Sequence, residues 1–175
     1  MQKQYKIYKM DIDSIDETLS KLEKYNVIRI SEQYIAVEYD YMDNSYKELL
    51  DYMFYLPVSQ YIFMASSYYR LISFLVKNKY RIYEVRLNAI LDDENKEIQK
   101  YINKLQKEDN QGVLDKLLQE LHWYNFDEGI DICNLSFGRK INNVFCQAHI
   151  ANNGVVFVDN SSFQTDVVSI LGSIL

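Results

Sequence analysis

Apolar and polar residues change their spacing several times along the chain, and each spacing predicts an element. Tyr5 to Ile12 reads as a strand. Ser14-Ile-Asp-Glu17 is a capping box, in which Ser14 and Glu17 satisfy backbone N–H groups that a helix start leaves free, and Ile15, Leu19 and Leu22 then form one helical stripe. Val27 to Ile30 and Tyr34 to Asp40 predict two short strands forming a hairpin around Ser31 to Gln33, with Ile35, Val37 and Tyr39 on one face of the second. A second capping box, Ser45-Tyr-Lys-Glu48, opens a helix that turns Leu49, Leu50, Met53 and Phe54 inward and is ended by Pro57. Tyr61 to Met64 predicts a further short strand. The order β-α-β-β-α-β is the ferredoxin-like, or split βαβ, arrangement.

Beyond Ser66, the stretch Tyr68 to Val76 is apolar on several sides, as a centrally packed helix requires, and Lys77-Asn78-Lys79 ends it. Tyr80 to Ile90 predicts a strand with Tyr83, Val85 and Leu87 on one face and Arg81 and Glu84 toward the other. Asp92-Asp-Glu-Asn-Lys opens an amphipathic helix with Ile98, Tyr101, Ile102 and Leu105 as its stripe, its acidic start matching the positive end of the helix dipole. Asn110-Gln-Gly112 breaks the pattern before Val113, Leu114, Leu117, Leu118 and Leu121 resume it as far as Trp123, which predicts two antiparallel helices.

The last third changes to a strand period over Ile130 to Phe137, Val144 to Ala151 and Val155 to Asp159. Asn153-Gly154 is a hairpin signal, because a type I′ turn needs positive φ at both central residues, and Gly138-Arg139 is the turn expected for the first pair. A three-stranded antiparallel meander follows. Ser161-Ser162 then caps a terminal helix, Phe163 to Leu175, whose Val167, Val168, Leu171 and Ile174 form an apolar face suited to docking in cis or to self-association. The fold class is therefore α+β: a ferredoxin-like N-terminal half, a helical middle and a C-terminal meander with a terminal helix. No repeat, low-complexity tract or linker imposes a boundary, so residues 1–175 are read as one domain, with a sub-division at 1–65 and 66–175 as the alternative.

At 175 residues the chain is long enough to bury a core without disulfides or a structural metal. Its two cysteines, Cys133 and Cys146, sit in apolar stretches and read as reduced thiols. The N-terminal stretch lacks the apolar region of a secretory signal and no apolar run reaches membrane-spanning length, so the expected location is the cytoplasm. The formal charge is −6, from 25 acidic and 19 basic residues with the signs interspersed. That balance disfavours nucleic acid and favours a basic protein partner. The 16 tyrosines accompany frequent Ile, Lys and Asn and sparse Ala and Gly. All the frequent residues have A/T-rich codons, so base composition accounts for the aromatic count without a special tyrosine function.

The arrangement closest to an enzyme places a nucleophile at Cys133 or Cys146, a base at His149 and an orienting group at Asp159 or Asn160. Cys146 and His149 are an odd number of positions apart on one strand and so point to opposite faces. Cys133 reaches His149 only if the neighbouring strand's register allows, and no helix N-terminus follows it to lower its pKa. Two core cysteines with His149 on a rim is the plainer reading. His122, before Trp123, reads as a helix C-terminal cation, and no metal or cofactor is implied. P-loop, GxGxxG, GxSxG and HExxH motifs are absent.

The strand carrying Tyr34, Tyr39 and Tyr41 lacks the basic residues and RNP-type motif of an RNA-binding sheet, while Glu38 and Asp40 lie beside the rings. Tyr34, Glu38, Tyr39, Asp40 and Tyr41 are therefore the candidate face for a protein partner with a basic surface. The function expected from the sequence is a small, acidic, protein-binding regulator of the inhibitor, antitoxin or immunity type. A Cys/His enzyme and a ferredoxin-like ligand-sensing module are the alternatives.

Overall fold

The fold is organised around β1 (Lys3–Met10) in the computed structural model, which describes residues 2–40, 45–89, 92–107 and 111–175. One edge of β1 pairs antiparallel with β3 (Tyr34–Glu38), from Tyr5 opposite Glu38 to Lys9 opposite Tyr34. Its other edge is shared end to end. There β8 (Val155–Val158) takes Lys3 to Lys6, and β4 (Val58–Gln60) takes Tyr8 to Met10. Between them the Ile7 N–H donates to the Gly154 carbonyl, and the Ile7 carbonyl accepts from Tyr61 N–H. With β2 (Val27–Arg29), β5 (Arg81–Leu87), β6 (Ile132–Ile141) and β7 (Val144–Ala151), the sheet runs β2-β3-β1-β8-β7-β6-β5, with β4 on β1 and every pairing antiparallel.

Two helices, α1 (Ile15–Lys21) and α2 (Ser45–Phe54), lie against one face of the β1 end of the sheet. Their side of the core joins Tyr8, Met10, Ile35 and Val37 to Leu49 and Met53. The alternate β1 residues, Tyr5 and Ile7, belong to the larger cluster on the other face. There α3 (Ala65–Lys77), α4 (Asp93–Leu105), α5 (Gln111–Phe126) and α6 (Ser161–Ile174) bury Leu71, Ile98, Leu117 and Phe163. Mixed helix and antiparallel sheet make the chain α+β.

Several local expectations are corrected by longer-range contacts. Ser14 stands at the N-cap of α1 but makes no capping bond; Asp11 accepts from Asp13 N–H and opens a short 3₁₀ turn, Ile12–Ser14, first. The strand expected at Tyr61 to Met64 lies earlier, at Val58–Gln60, directly after Pro57, while Tyr61 and Phe63 donate to the Ile7 and Asn152 carbonyls instead. Phe54 points outward at 82 % exposure, since Leu49, Met53 and Leu56 already fill the inward positions. On β5 a bulge leaves Tyr83 unopposed, so Ile82 rather than Tyr83 shares the buried side with Val85 and Leu87. The cap proposed for the Ser45 side chain, Tyr41 and the break at Asn110 lie outside the described residues.

The C-terminal turns also differ from the expected positions. β6 runs straight through Gly138, and the reversal falls at Asn142-Asn143, whose φ values of 48° and 67° are both positive. Gly138 is needed for a different reason: a Cβ there would stand 2.0 Å from the Cys146 carbonyl oxygen. At the β7–β8 connection only Gly154 has positive φ, 80°, and its N–H donates to the Ala151 carbonyl, closing a three-residue loop rather than a type I′ turn. Asn160, not Ser161 or Ser162, caps α6 by accepting from Ser162 N–H. The apolar face of α6 is buried on the chain's own core, and its exposed positions, among them Ser162, Thr165, Ser169 and Ser173, are polar.

Candidate functional site

Register sets the surroundings of His149. Glu84, Ser136, His149 and Phe157 face one another across β5, β6, β7 and β8. The His149 ring Nδ1 lies 2.7 Å from the Ser136 hydroxyl oxygen, which also receives the Asn134 side-chain N–H at 3.4 Å. Ser136 is only 3 % exposed. The buried Ser136 hydroxyl fixes the orientation of the His149 ring.

The structure does not bring the thiols, His149 and Asp159 together. Cys146 is fully buried, facing away from His149, with its Sγ 3.7 Å from the Val144 carbonyl oxygen and 3.8 Å from the Ser162 hydroxyl. Cys133 occupies an irregularity where the β5–β6 register shifts. Burial pushes its pKa up, and the nearby Arg86 guanidinium offsets only part of that push. An activated thiolate needs the opposite balance. The Asp159 carboxylate accepts from Gln147 N–H at 2.8 Å, and Asn160 is the α6 cap. Among the described residues no group of His, Cys, Asp and Glu is placed to hold a metal ion.

The tyrosine-bearing strand is largely consumed by the fold. Tyr39 is 8 % exposed and its ring lies 4.6 Å from that of Tyr46; Tyr34 makes an edge contact with Tyr61 at 5.4 Å. Glu38 is held by Lys3 at 2.8 Å and by the Asn26 side chain. Asp40 is exposed, and Tyr41 lies outside the described residues. The exposed aromatic and apolar surface is elsewhere.

Part of the exposed apolar surface borders a groove of about 290 Å³ between the segment before α3 and the end of α5. Ile62, Met64 and Phe126 stand on it at 58 %, 64 % and 66 % exposure, over a floor that includes the buried Phe63 and Ile132. The Phe126 ring stacks on His122 at 4.4 Å, because α5 continues past Trp123 and carries His122 inside the helix rather than at its end. One carboxylate, Asp131, lines the groove, and two exposed ones, Asp127 and Glu128, follow Phe126 in the chain. Behind it the Tyr69 hydroxyl donates to the Asn125 side-chain oxygen at 2.6 Å, and burial together with the Asp131 carboxylate pushes its pKa up to about 12. Two sequence signals pointed here. Ile62-Phe63-Met64 puts apolar side chains on both sides of an extended segment, and Phe126 lies off the Leu114, Leu117 and Leu121 stripe.

Among the described residues no helix is long and apolar enough to cross a membrane. Compared with family models, curated proteins and solved structures, the chain matches none of them.

Proposed function

We propose that this chain is a protein-binding regulator of the inhibitor, antitoxin or immunity type, which acts by occupying a basic segment of its partner at the Ile62, Met64 and Phe126 groove. The observation that carries this reading is the coincidence of exposed apolar anchors with these carboxylates in a chain of net charge −6. Single exposed apolar residues are ordinary, whereas several around one groove with charge at the edge make an anchor site for an apolar side chain flanked by lysine or arginine. The carboxylates steer such a segment and the groove retains it.

The ferredoxin-like reading of the first part of the chain rests on the antiparallel order β2-β3-β1-β4, with one helix in each of the β1–β2 and β3–β4 connections. In that arrangement the groove lies just beyond β4, and so outside the unit's own sheet.

The test is a screen of the chain against immobilised peptides in which apolar anchors alternate with Lys or Arg, with neutral and acidic versions as controls. Basic binders are expected, weakening about tenfold or more in Phe126→Asp and Met64→Asp and also on raising the salt. Binders that ignore these substitutions, or that prefer acidic peptides, would overturn the assignment.

A further inference from the structure

At the opposite end of α3 from the groove, a cleft of about 600 Å³ opens between the end of α3, the start of β5 and the end of α4. Its volume is that of an ordinary small-molecule site. Val76, Ile82 and Leu105 give it an apolar wall, and Lys79, Arg81 and Lys107 line it as well. Among the described residues no carboxylate lines it, although the chain carries 25 acidic residues against 19 basic. A second cavity of about 390 Å³ shares Val76 and Lys79 with it and adds Lys77, again with no acidic lining among the described residues. Among the described residues none of these four cations forms a salt bridge.

Two features show that the cations are placed rather than scattered. The Arg81 guanidinium donates to the Gln106 side-chain oxygen at 2.8 Å, and Gln106 in turn donates to the Ile82 carbonyl at 2.7 Å, so the guanidinium is held at the mouth before any ligand arrives. Lys79 ends α3 in a left-handed conformation, φ 59°, where its N–H donates to the Val76 carbonyl and the next N–H, of Tyr80, reaches back to Leu75. That pair of bonds is the Schellman ending, whose left-handed position favours glycine. A lysine therefore stands where the backbone favours glycine. Helix C-termini attract cations and account for Lys77 and Lys107, but they do not explain Arg81 on β5 or a lysine in the glycine position.

We propose that this cleft binds a small organic anion, its phosphate, sulfonate or carboxylate head held by Lys79, Arg81 and Lys107 and its apolar body lying on Val76, Ile82 and Leu105. This goes beyond the docking role at the groove and does not depend on it, since the two sites occupy opposite ends of a helix whose Leu71, Ile72 and Leu75 are fully buried.

The experiment titrates the full chain at low salt with anilinonaphthalene sulfonate, using uncharged phenylnaphthylamine as the apolar control and inorganic pyrophosphate as competitor. The sulfonate is expected to bind at least about tenfold more tightly than the neutral probe, and pyrophosphate to displace it. Lys79→Gly and Lys107→Gln are each expected to weaken it about tenfold. Lys79→Gly relieves the left-handed strain, so its melting temperature should hold or rise, which separates lost binding from lost folding. Equal affinity for the charged and neutral probes, unchanged affinity in both lysine variants, or loss of the probe in Phe126→Asp would overturn the proposal.

Discussion

Strands β1 and β7 belong to one sheet but live under different constraints. β1 lies between two helical layers, and Tyr5, Lys6, Ile7 and Tyr8 are consecutively buried. β7 is buried on one side only, so Cys146, Ala148 and Ile150 are enclosed while Gln147 and His149 keep contact with solvent. The difference shows what covering both faces of an antiparallel strand requires. It brings Lys6 into the interior at 2 % exposure, where its Nζ donates to the Asn153 carbonyl and burial lowers its pKa. It also encloses the Tyr5 and Tyr8 hydroxyls, which have no hydrogen-bond partner among the described residues. On the half-covered strand, polar groups such as His149 find a neighbour or water at little cost.

The largest test of that contrast is truncation. Tyr8→Ala is expected to destabilise the chain by about 3–5 kcal/mol in denaturant unfolding, because it empties a fully packed site. Phe145→Ala, on β7 at 60 % exposure, should cost less than about 0.5 kcal/mol. Similar losses at the two positions would dissolve the distinction.

A second test uses pH. Burial, helped by the Glu38 carboxylate, pushes the Tyr5 pKa up to about 12, and burial pushes Tyr8 higher still. A tyrosine titrates near 10 when unfolded, so the folded state keeps these protons while the unfolded chain loses them. Their contribution is fully present below about pH 10 and declines as pH rises toward about 12, by roughly 1.4 kcal/mol per pH unit for each group. Lys6 acts in the opposite sense. Its lowered pKa makes the charged form costly in the fold, and that cost is relieved as pH rises through the folded value toward the unfolded one. Melting temperatures across the alkaline range should therefore hold or rise before they fall, and Tyr8→Phe should blunt the fall. A steady decline from neutral pH, with Tyr8→Phe indistinguishable from the parent, would contradict this account.

A smaller effect than that of Tyr8→Ala is expected at the hydroxyl beneath His149. Ser136→Ala removes the hydroxyl that holds the His149 ring, and about 1 kcal/mol is expected, since the partly exposed imidazole regains water. A loss as large as that of Tyr8→Ala would show that β7 is as tightly constrained as β1.

Local spacing was enough to identify α3, α4, α5 and α6, because Leu71 and Leu75, Ile98 and Ile102, Leu117 and Leu121, and Val167 and Leu171 each recur at a helical interval within one element. It was also enough to place Cys146 and His149 on opposite faces, a matter of parity along a single strand. It could not place the β6–β7 turn, because Gly138 answers to the Cys146 carbonyl across the ladder rather than to a turn. Nor could it anticipate the inversion at Tyr83, since a bulge depends on the partner strand. Neither proposed site is contiguous: the groove joins Ile62 and Met64 to Phe126, and the cleft joins Lys79 and Arg81 to Lys107.

By itself the sequence determined the α+β class and the position of most elements, because helix and strand periods are summed over a few neighbouring residues. The tertiary structure decided which face of each strand is covered, which aromatic residues remain outside and which cations share a cleft. Those outcomes depend on contacts between residues far apart in the chain, and no local spacing records them.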